Sequence, residues 1–253
     1  MLFPFFWMLM SSLKDATQIY QMRLLPSRPT LDNYRYIFTS RNSQFPQWFL
    51  NSTIVAICTT ASVLFFDSLI GYTLAKFRFP GKKIIFLLII STLMIPTEML
   101  VIPWYAMARA FKWVNTYWGI MFPGMISAFG VFLMRQFMAT VPDDLIDAAR
   151  VDGQGELRIF LTIVLPLVTP ALATLAIFNF VGNWNAFLWP LIAVSKPHMF
   201  TLPVGLANFS GEAGSDWQLI MTGAAVSMLP LIIVFLVFQK QIVRGIAMTG
   251  LKG

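Results

Sequence analysis

Five stretches of this chain are too long and too apolar to be accommodated in water. They run from Trp48 to about Ala75, from Ile84 to about Ala108, from Trp113 to Met134, within Ile159 to Ser195, and from Trp217 to Gln239. A helix rising 1.5 Å per residue needs about 20 apolar residues to cross a hydrocarbon layer roughly 30 Å thick. Interruptions are few: Asp67 in the first stretch, Glu98 in the second, no charge in the third or fourth. The opening run, Met1 to Leu13, is apolar but too short to cross alone, and reads as a thinned first span. The pattern predicts an all-α integral membrane protein, a polytopic bundle of about six helices with a short first one. No linker or internal repeat divides residues 1–253, so a single membrane domain is the simplest organisation.

Composition excludes several function classes. Charged residues make up 11% of the chain, against about 25% in an ordinary soluble domain. The net charge of +7 sits in short clusters between apolar stretches, the pattern of membrane loops and lipid contact rather than of nucleic-acid binding. Cys58 is alone and His198 is the only histidine, so the chain supplies neither a disulfide framework nor a cysteine or multi-histidine metal site. The opening lacks the basic start and small-residue cleavage site of a removable signal.

Orientation follows from the basic loops. Lys76, Arg78, Lys82 and Lys83 place four cations in eight residues, and short basic loops stay in the cytoplasm. Alternation then puts Arg135 to Arg158 inside, together with the tail carrying Lys240, Arg244 and Lys252. The long segment from Ser11 to Gln47 falls outside although it holds five Lys or Arg, because long loops count less in this rule.

One of the inner connections has structure of its own. Pro142 suits a first helical position, Asp143 and Asp144 favour the positive end of a helix dipole, and Gly153 suits a left-handed terminator. Leu145, Ala148, Ala149 and Asp152 fall on one face at helical spacing. A second helix is expected from about Gln154 to Leu165, stopping at Pro166. The whole segment, about 141–166, is a helix–Gly–helix elbow.

Here the sequence resembles a known family. The run Asp147-Ala-Ala-Arg-Val-Asp-Gly153, followed by Ile163-Val-Leu-Pro166, is similar to the coupling motif of ABC importer permeases, which begins with Glu where this chain has Asp147. Asn51-Ser-Thr53, Gly71-Tyr-Thr-Leu-Ala-Lys-Phe-Arg-Phe-Pro-Gly81, Asn115-Thr-Tyr-Trp-Gly119, Phe132-Leu-Met-Arg-Gln-Phe137, Asn183-Trp-Asn185 with Phe187-Leu-Trp-Pro190, and Thr201-Leu-Pro-Val-Gly205 follow in the order seen in the carbohydrate-import branch. That branch usually has an acid where this chain has Ala186, and a longer first span.

The resemblance implies a binding-protein-dependent importer in a bacterial or archaeal inner membrane, with a cytoplasmic C-terminus. Its partners would be a second homologous permease, two ABC ATPase subunits and an extracytoplasmic solute-binding protein. The solute would be a sugar, oligosaccharide or glycerol-phosphate-like compound. Asp147, Ala148, Ala149, Asp152, Gly153, Leu165 and Pro166 would form the ATPase-coupling elbow. The chain has no Gly-x-x-x-x-Gly-Lys-Ser/Thr loop, so ATP and Mg would belong to the partner and the chain would have no ATPase site or cofactor of its own.

Polar residues inside the spans are costly and are candidates for the solute path. Asn179, Asn183 and Asn185, with Trp184, offer amides and an aromatic face to a polyhydroxy solute. Interhelical hydrogen bonding is the competing role. Glu98, bracketed by Pro96 and Pro103, reads either as a pathway carboxylate at a broken helix or as a local cap. Asp67 lies nine residues before Lys76, close enough to the interface to pair there. The rival function is an ATP-independent secondary transporter or channel, which would need ion-coupling groups and often inverted repeats.

Overall fold

The computed structural model describes residues 3–21, 23–211 and 214–250, with backbone alone at 210–211, 214–215 and 240–250. In chain order the helices are α1 (Phe3–Ser12), α2 (Asp32–Thr39), α3 (Phe45–Lys76), α4 (Lys82–Ser91), α5 (Val101–Ala110), α6 (Tyr117–Met121), α7 (Ala128–Ala139), α8 (Asp143–Val151), α9 (Glu156–Ile159), α10 (Leu165–Leu167), α11 (Thr169–Trp184), α12 (Leu188–Ala193), α13 (Leu202–Ala207) and α14 (Trp217–Gly250). Apart from a two-residue antiparallel pairing of Ser210–Gly211 with Gly214–Ser215, the regular structure is helical.

Phe45–Lys76 and Trp217–Gln239 are each long and apolar enough to cross a membrane unaided. Three more spans are helix pairs with a break: Lys82–Met94 with Thr97–Ala110, Tyr117–Gly124 with Ala128–Ala139, and Glu156–Leu167 with Thr169–Trp184. These five match the five apolar stretches of the sequence. The second, expected as one run from Ile84 to Ala108, bends by 95° through two short 3-10 turns on either side of Ile95 and Pro96. Pro96 removes a helical N–H and pushes Ile95 to an extended conformation, ψ 115°. α1, read from the sequence as a thinned first span, is about 15 Å long at 1.5 Å per residue, half of what a crossing needs, and is not one of these five. The side chains of Lys240 and Arg244, and Lys252 altogether, lie outside the described residues.

The chain folds into two compact units built from separated stretches. One comprises Met1–Val55, Ala108–Ile120 and Trp184–Val234. Its joints are the motifs met in the sequence. Asn51 Nδ2 donates to the carbonyls of His198 and Phe200, both at 2.9 Å, and its Oδ1 accepts from Tyr117 Oη at 2.6 Å. Ser52 Oγ accepts the Leu202 amide at 2.7 Å, and Trp48 Nε1 donates to Pro197 O at 2.9 Å. The Asn51–Thr53 and Thr201–Gly205 motifs are thus two halves of one contact, and Gly205 is glycine because a Cβ there would overlap the Trp48 ring. Asn115, in the left-handed region at φ 61°, turns its Oδ1 to the amides of Ser195 and Lys196. Lys14 is buried against the Trp7 ring and donates to Arg23 O at 2.7 Å.

The other unit comprises Ala56–Met107, Met121–Asn183 and Phe235–Gly253. Its core joins Val63 and Tyr72 of α3, Met134 and Met138 of α7, Ile146 and Ala149 of α8, and Ile159, Phe160, Val164 and Val168 of the following segment. A Cβ on Gly71 would stand 2.9 Å from both Met134 Cβ and Arg135 N, so α3 and α7 meet backbone to backbone there.

Asp67 differs from its sequence reading. It is fully buried and does not pair with Lys76. Both its oxygens accept from the Ser127 amide at 3.1 Å, and Oδ2 accepts from Ser127 Oγ at 2.8 Å. Ser127 Oγ in turn accepts the Gly130 amide at 2.8 Å, as the N-cap of α7. The carboxylate therefore completes a helix cap from a neighbouring helix, satisfying donors that would otherwise be orphaned.

Candidate functional site: the elbow

The elbow forms as its residues dictate. Pro142 is extended, with ψ 132°, and stands one position before the helix rather than in it. Asp143 and Asp144 occupy the first turn of α8. At the other end Gly153 takes φ 78°, its amide donates to Arg150 O at 3.0 Å, and the Gln154 amide donates to Ala149 O at 3.0 Å. This pair of bonds is the Schellman arrangement, which needs a residue at ease in the left-handed region.

The four residues expected on one face divide. Leu145, Ala148 and Asp152 are exposed, with Val151 beside them at 87% exposure, whereas Ala149 is buried with Ile146 in this chain's own core. Ala149 is small because α8 lies close to its own chain, and Ala148 is the small residue that faces outward. Asp147 is exposed and bonded to Arg150 at 2.9 Å.

A polar network fixes the elbow from behind, and sequence reading missed it. Lys76, at the end of α3, donates to Val141 O and to Asp143 Oδ1, the latter at 2.7 Å. Tyr72 Oη, one turn earlier, lies 2.9 Å from Glu156 Oε2, and Arg150 Nε reaches Glu156 Oε1 at 2.7 Å. Arg150 thus joins α8 to α9 across the Gly153 turn. Lys76, Phe77, Arg78, Asp143, Ile146, Asp147 and Arg150 line a polar notch of about 320 Å³ at this corner. The only sequence signal was the Lys76 position in a basic loop; its partner lies 67 residues on.

The Lys76 hydrogen bond and charge hold the Asp143 carboxyl below the usual carboxylate range. A depressed folded value stabilises the pair above the ordinary carboxylate pKa of about 3.9 and is lost only as pH falls through the folded value. Wild type and Asp143→Asn should therefore keep a constant difference in thermal stability between about pH 5 and 8 and converge only below about pH 4, as read by a pH series of melting curves.

Beyond the Gly153 turn the second helix runs continuously from Glu156 to Leu167, through a π-turn at Phe160–Val164, and ends one residue past Pro166, where the expected stop lies; the chain bends by 85° at Val168 before α11. Leu165 is half-buried and Pro166 exposed.

The pathway candidates are brought together only in part. Asn183 Nδ2 donates to Asn179 O at 2.9 Å and to Asn179 Oδ1 at 3.0 Å, and Thr60 Oγ1 lies 3.1 Å from the same oxygen. These amides tie α11 to α3. Trp184 is buried in the other unit, edge-on to Phe49, with Nε1 donating to Ser227 O at 3.1 Å, so its indole serves packing there. Asn185 is exposed. Glu98 is exposed on the turn at the 95° bend, and its carboxylate has no hydrogen-bond partner among the described residues.

The profile of the family described as "Binding-protein-dependent transport system inner membrane component" matches residues 67–248. The chain belongs to that family. As an inner membrane component it is a multi-pass membrane protein of a transport system that depends on a binding protein. It is 37% identical to the arabinooligosaccharides transport system permease protein AraQ of Bacillus subtilis (strain 168), across 100% of this chain and 91% of that one. It is 33% identical to the sn-glycerol-3-phosphate transport system permease protein UgpE of Pectobacterium atrosepticum, across 97% and 90%. A bacterial ABC transporter involved in import of the acidic polysaccharide alginate has the same fold, with TM-score 0.84 at 24% identity over 94% of this component and 90% of that chain.

Proposed function

We propose that this component is the permease subunit through which a separate pair of ABC ATPases drives inward movement of a sugar, oligosaccharide or glycerol-phosphate-like solute. A second homologous permease would complete the membrane pore, and elbow and C-terminus would lie on the cytoplasmic side. The observation that carries the reading is the elbow itself. Its outer face is small and open at Ala148, while its inner face is locked to the end of α3 by Lys76 and Tyr72. Such an element passes a push on α8 to a spanning helix instead of yielding to it. Relatives named for arabinooligosaccharides and for sn-glycerol-3-phosphate support the solute class.

Purification of the intact complex tests this: an ATPase and a second permease should come with the chain, and uptake should stop when that ATPase is inactivated. Uptake that persists would favour an ATP-independent transporter. The two alanines separate docking from folding. Ala148→Trp should lower uptake about 100-fold, as a clash of about 3 kcal/mol at an interface does, with normal protein in the membrane. Ala149→Trp, at a site only 4% exposed, should instead lower the melting temperature and the amount of inserted protein.

A further inference from the structure

The basic turn between α3 and α4 carries more positive charge than the protein neutralises. Of its four cations, Lys76 is spent on Val141 O and Asp143, and Lys82 on the carbonyls of Ala75 and Phe77 at 3.2 and 2.8 Å. Arg78 and Lys83 are exposed and make no ion pair or side-chain hydrogen bond among the described residues. Arg135 adds a fifth charge from α7: its guanidinium lies over the Phe86 ring of α4 at 3.9 Å, and its Nε has no hydrogen-bond partner among the described residues. Arg135, Arg78 and Lys76 are all close enough to act on Lys82 as like charges. On the Arg78 side Asp143 and Asp147 line the neighbouring notch, and Lys76 and Arg150 already hold them.

The turn is shaped as well as charged. Gly81 at φ 80° folds the chain into α4, whose first turn has no side-chain cap. Arg78, Phe79, Gly81, Lys82, Lys83 and Ile84 surround an open cavity of about 530 Å³. Directly along α4 from its mouth, Ile84, Leu87 and Leu88 are 65%, 64% and 63% exposed, and i, i+3 and i+4 share a face. A cationic recess that opens onto an uncovered apolar helix face matches one kind of molecule: an anion with a hydrocarbon tail.

We propose that this recess binds the phosphate headgroup of an anionic glycerophospholipid, with Arg78 and Lys83 as the contacting cations and an acyl chain along Ile84, Leu87 and Leu88. The bound phosphate would relieve the mutual repulsion of Lys82, Arg78 and Arg135 and supply an acceptor for the open first turn of α4. The site rests on membrane embedding alone and is independent of the coupling role of the elbow.

The test is a titration of phosphatidylglycerol into the purified, detergent-solubilised complex, read by native mass spectrometry. Each cation near an anionic headgroup contributes roughly a five-fold gain, so R78Q/K83Q should bind phosphatidylglycerol about 25-fold more weakly than wild type. The charge-matched pair R28Q/R41Q, on the segments before and after α2, should bind as wild type does. Both target residues are exposed and unbonded, so the fold should survive; K83Q alone, expected to lose about five-fold, covers the case where the pair does not express. Equal binding by R78Q/K83Q and R28Q/R41Q overturns the proposal. So does phosphatidylcholine binding as tightly as phosphatidylglycerol, which would mean that the charge is not read. Displacement of the lipid by inorganic phosphate at equal concentration would assign the recess to a free anion and overturn it too. Loss of the co-purifying ATPase in R78Q/K83Q with lipid binding intact would make the recess a protein contact, again against the proposal.

Discussion

Gly153→Pro is expected to abolish solute uptake while leaving the protein in the membrane. Gly153 stands at φ 78° and its amide donates to Arg150 O. Proline has no N–H and is confined near φ −65°, so the turn that sets α8 against α9 cannot form. A penalty of about 3 kcal/mol on the docked geometry corresponds to roughly a 100-fold loss. Gly153→Asn is the control. Asparagine tolerates the left-handed region, and no atom lies within 4 Å of where its Cβ would be, so uptake should remain within about threefold of wild type. Uptake assays in cells, paired with quantification of the membrane fraction, separate the outcomes. Normal transport in the proline variant, with the protein correctly inserted, would remove the elbow from the coupling path.

The second large effect concerns stability. Asp67→Ala leaves the Ser127 amide and hydroxyl without their shared acceptor inside the membrane protein, at a cost of about 2–3 kcal/mol. Asp67→Asn keeps one carbonyl oxygen in place and should recover about half of that. Thermal unfolding in detergent reads both. The reverse pattern, an Asn variant as stable as wild type but inactive in uptake, would reassign Asp67 from helix capping to the solute path.

The spans were legible because hydrocarbon imposes a length and an apolar content that composition cannot disguise. What the sequence concealed was where each span breaks. Pro96 marks a true break, since the backbone before it turns extended. Pro166 and Pro170 flank the next one: Pro166 lies in the last turn of the helix that ends at Leu167, Pro170 in the first turn of α11, where a proline costs no hydrogen bond, and the bend falls at Val168 between them. One-dimensional proximity also misled at Asp67. Lys76 was its nearest cation along the chain, but the partner, Ser127, is 60 residues away. The elbow's terminator was readable from Gly153 alone, because only a left-handed residue ends a helix that way. The Ala148–Ala149 pair was readable as small but not as divided, because the direction of burial depends on Tyr72 and Phe160, which lie in other segments.

The π-turn at Phe160–Val164 has a consequence for how force leaves the elbow. A π-turn is one residue in excess of α-helical register, and one residue is about 100° of helical rotation. The side that α9 presents and the side that α10 presents are thus phased separately. Sliding that surplus residue up or down the backbone would rotate the part it passes while keeping the strand of peptide bonds unbroken. In the proposed coupling role the segment would act as a swivel: a pull along it would arrive at the far end partly as a turn.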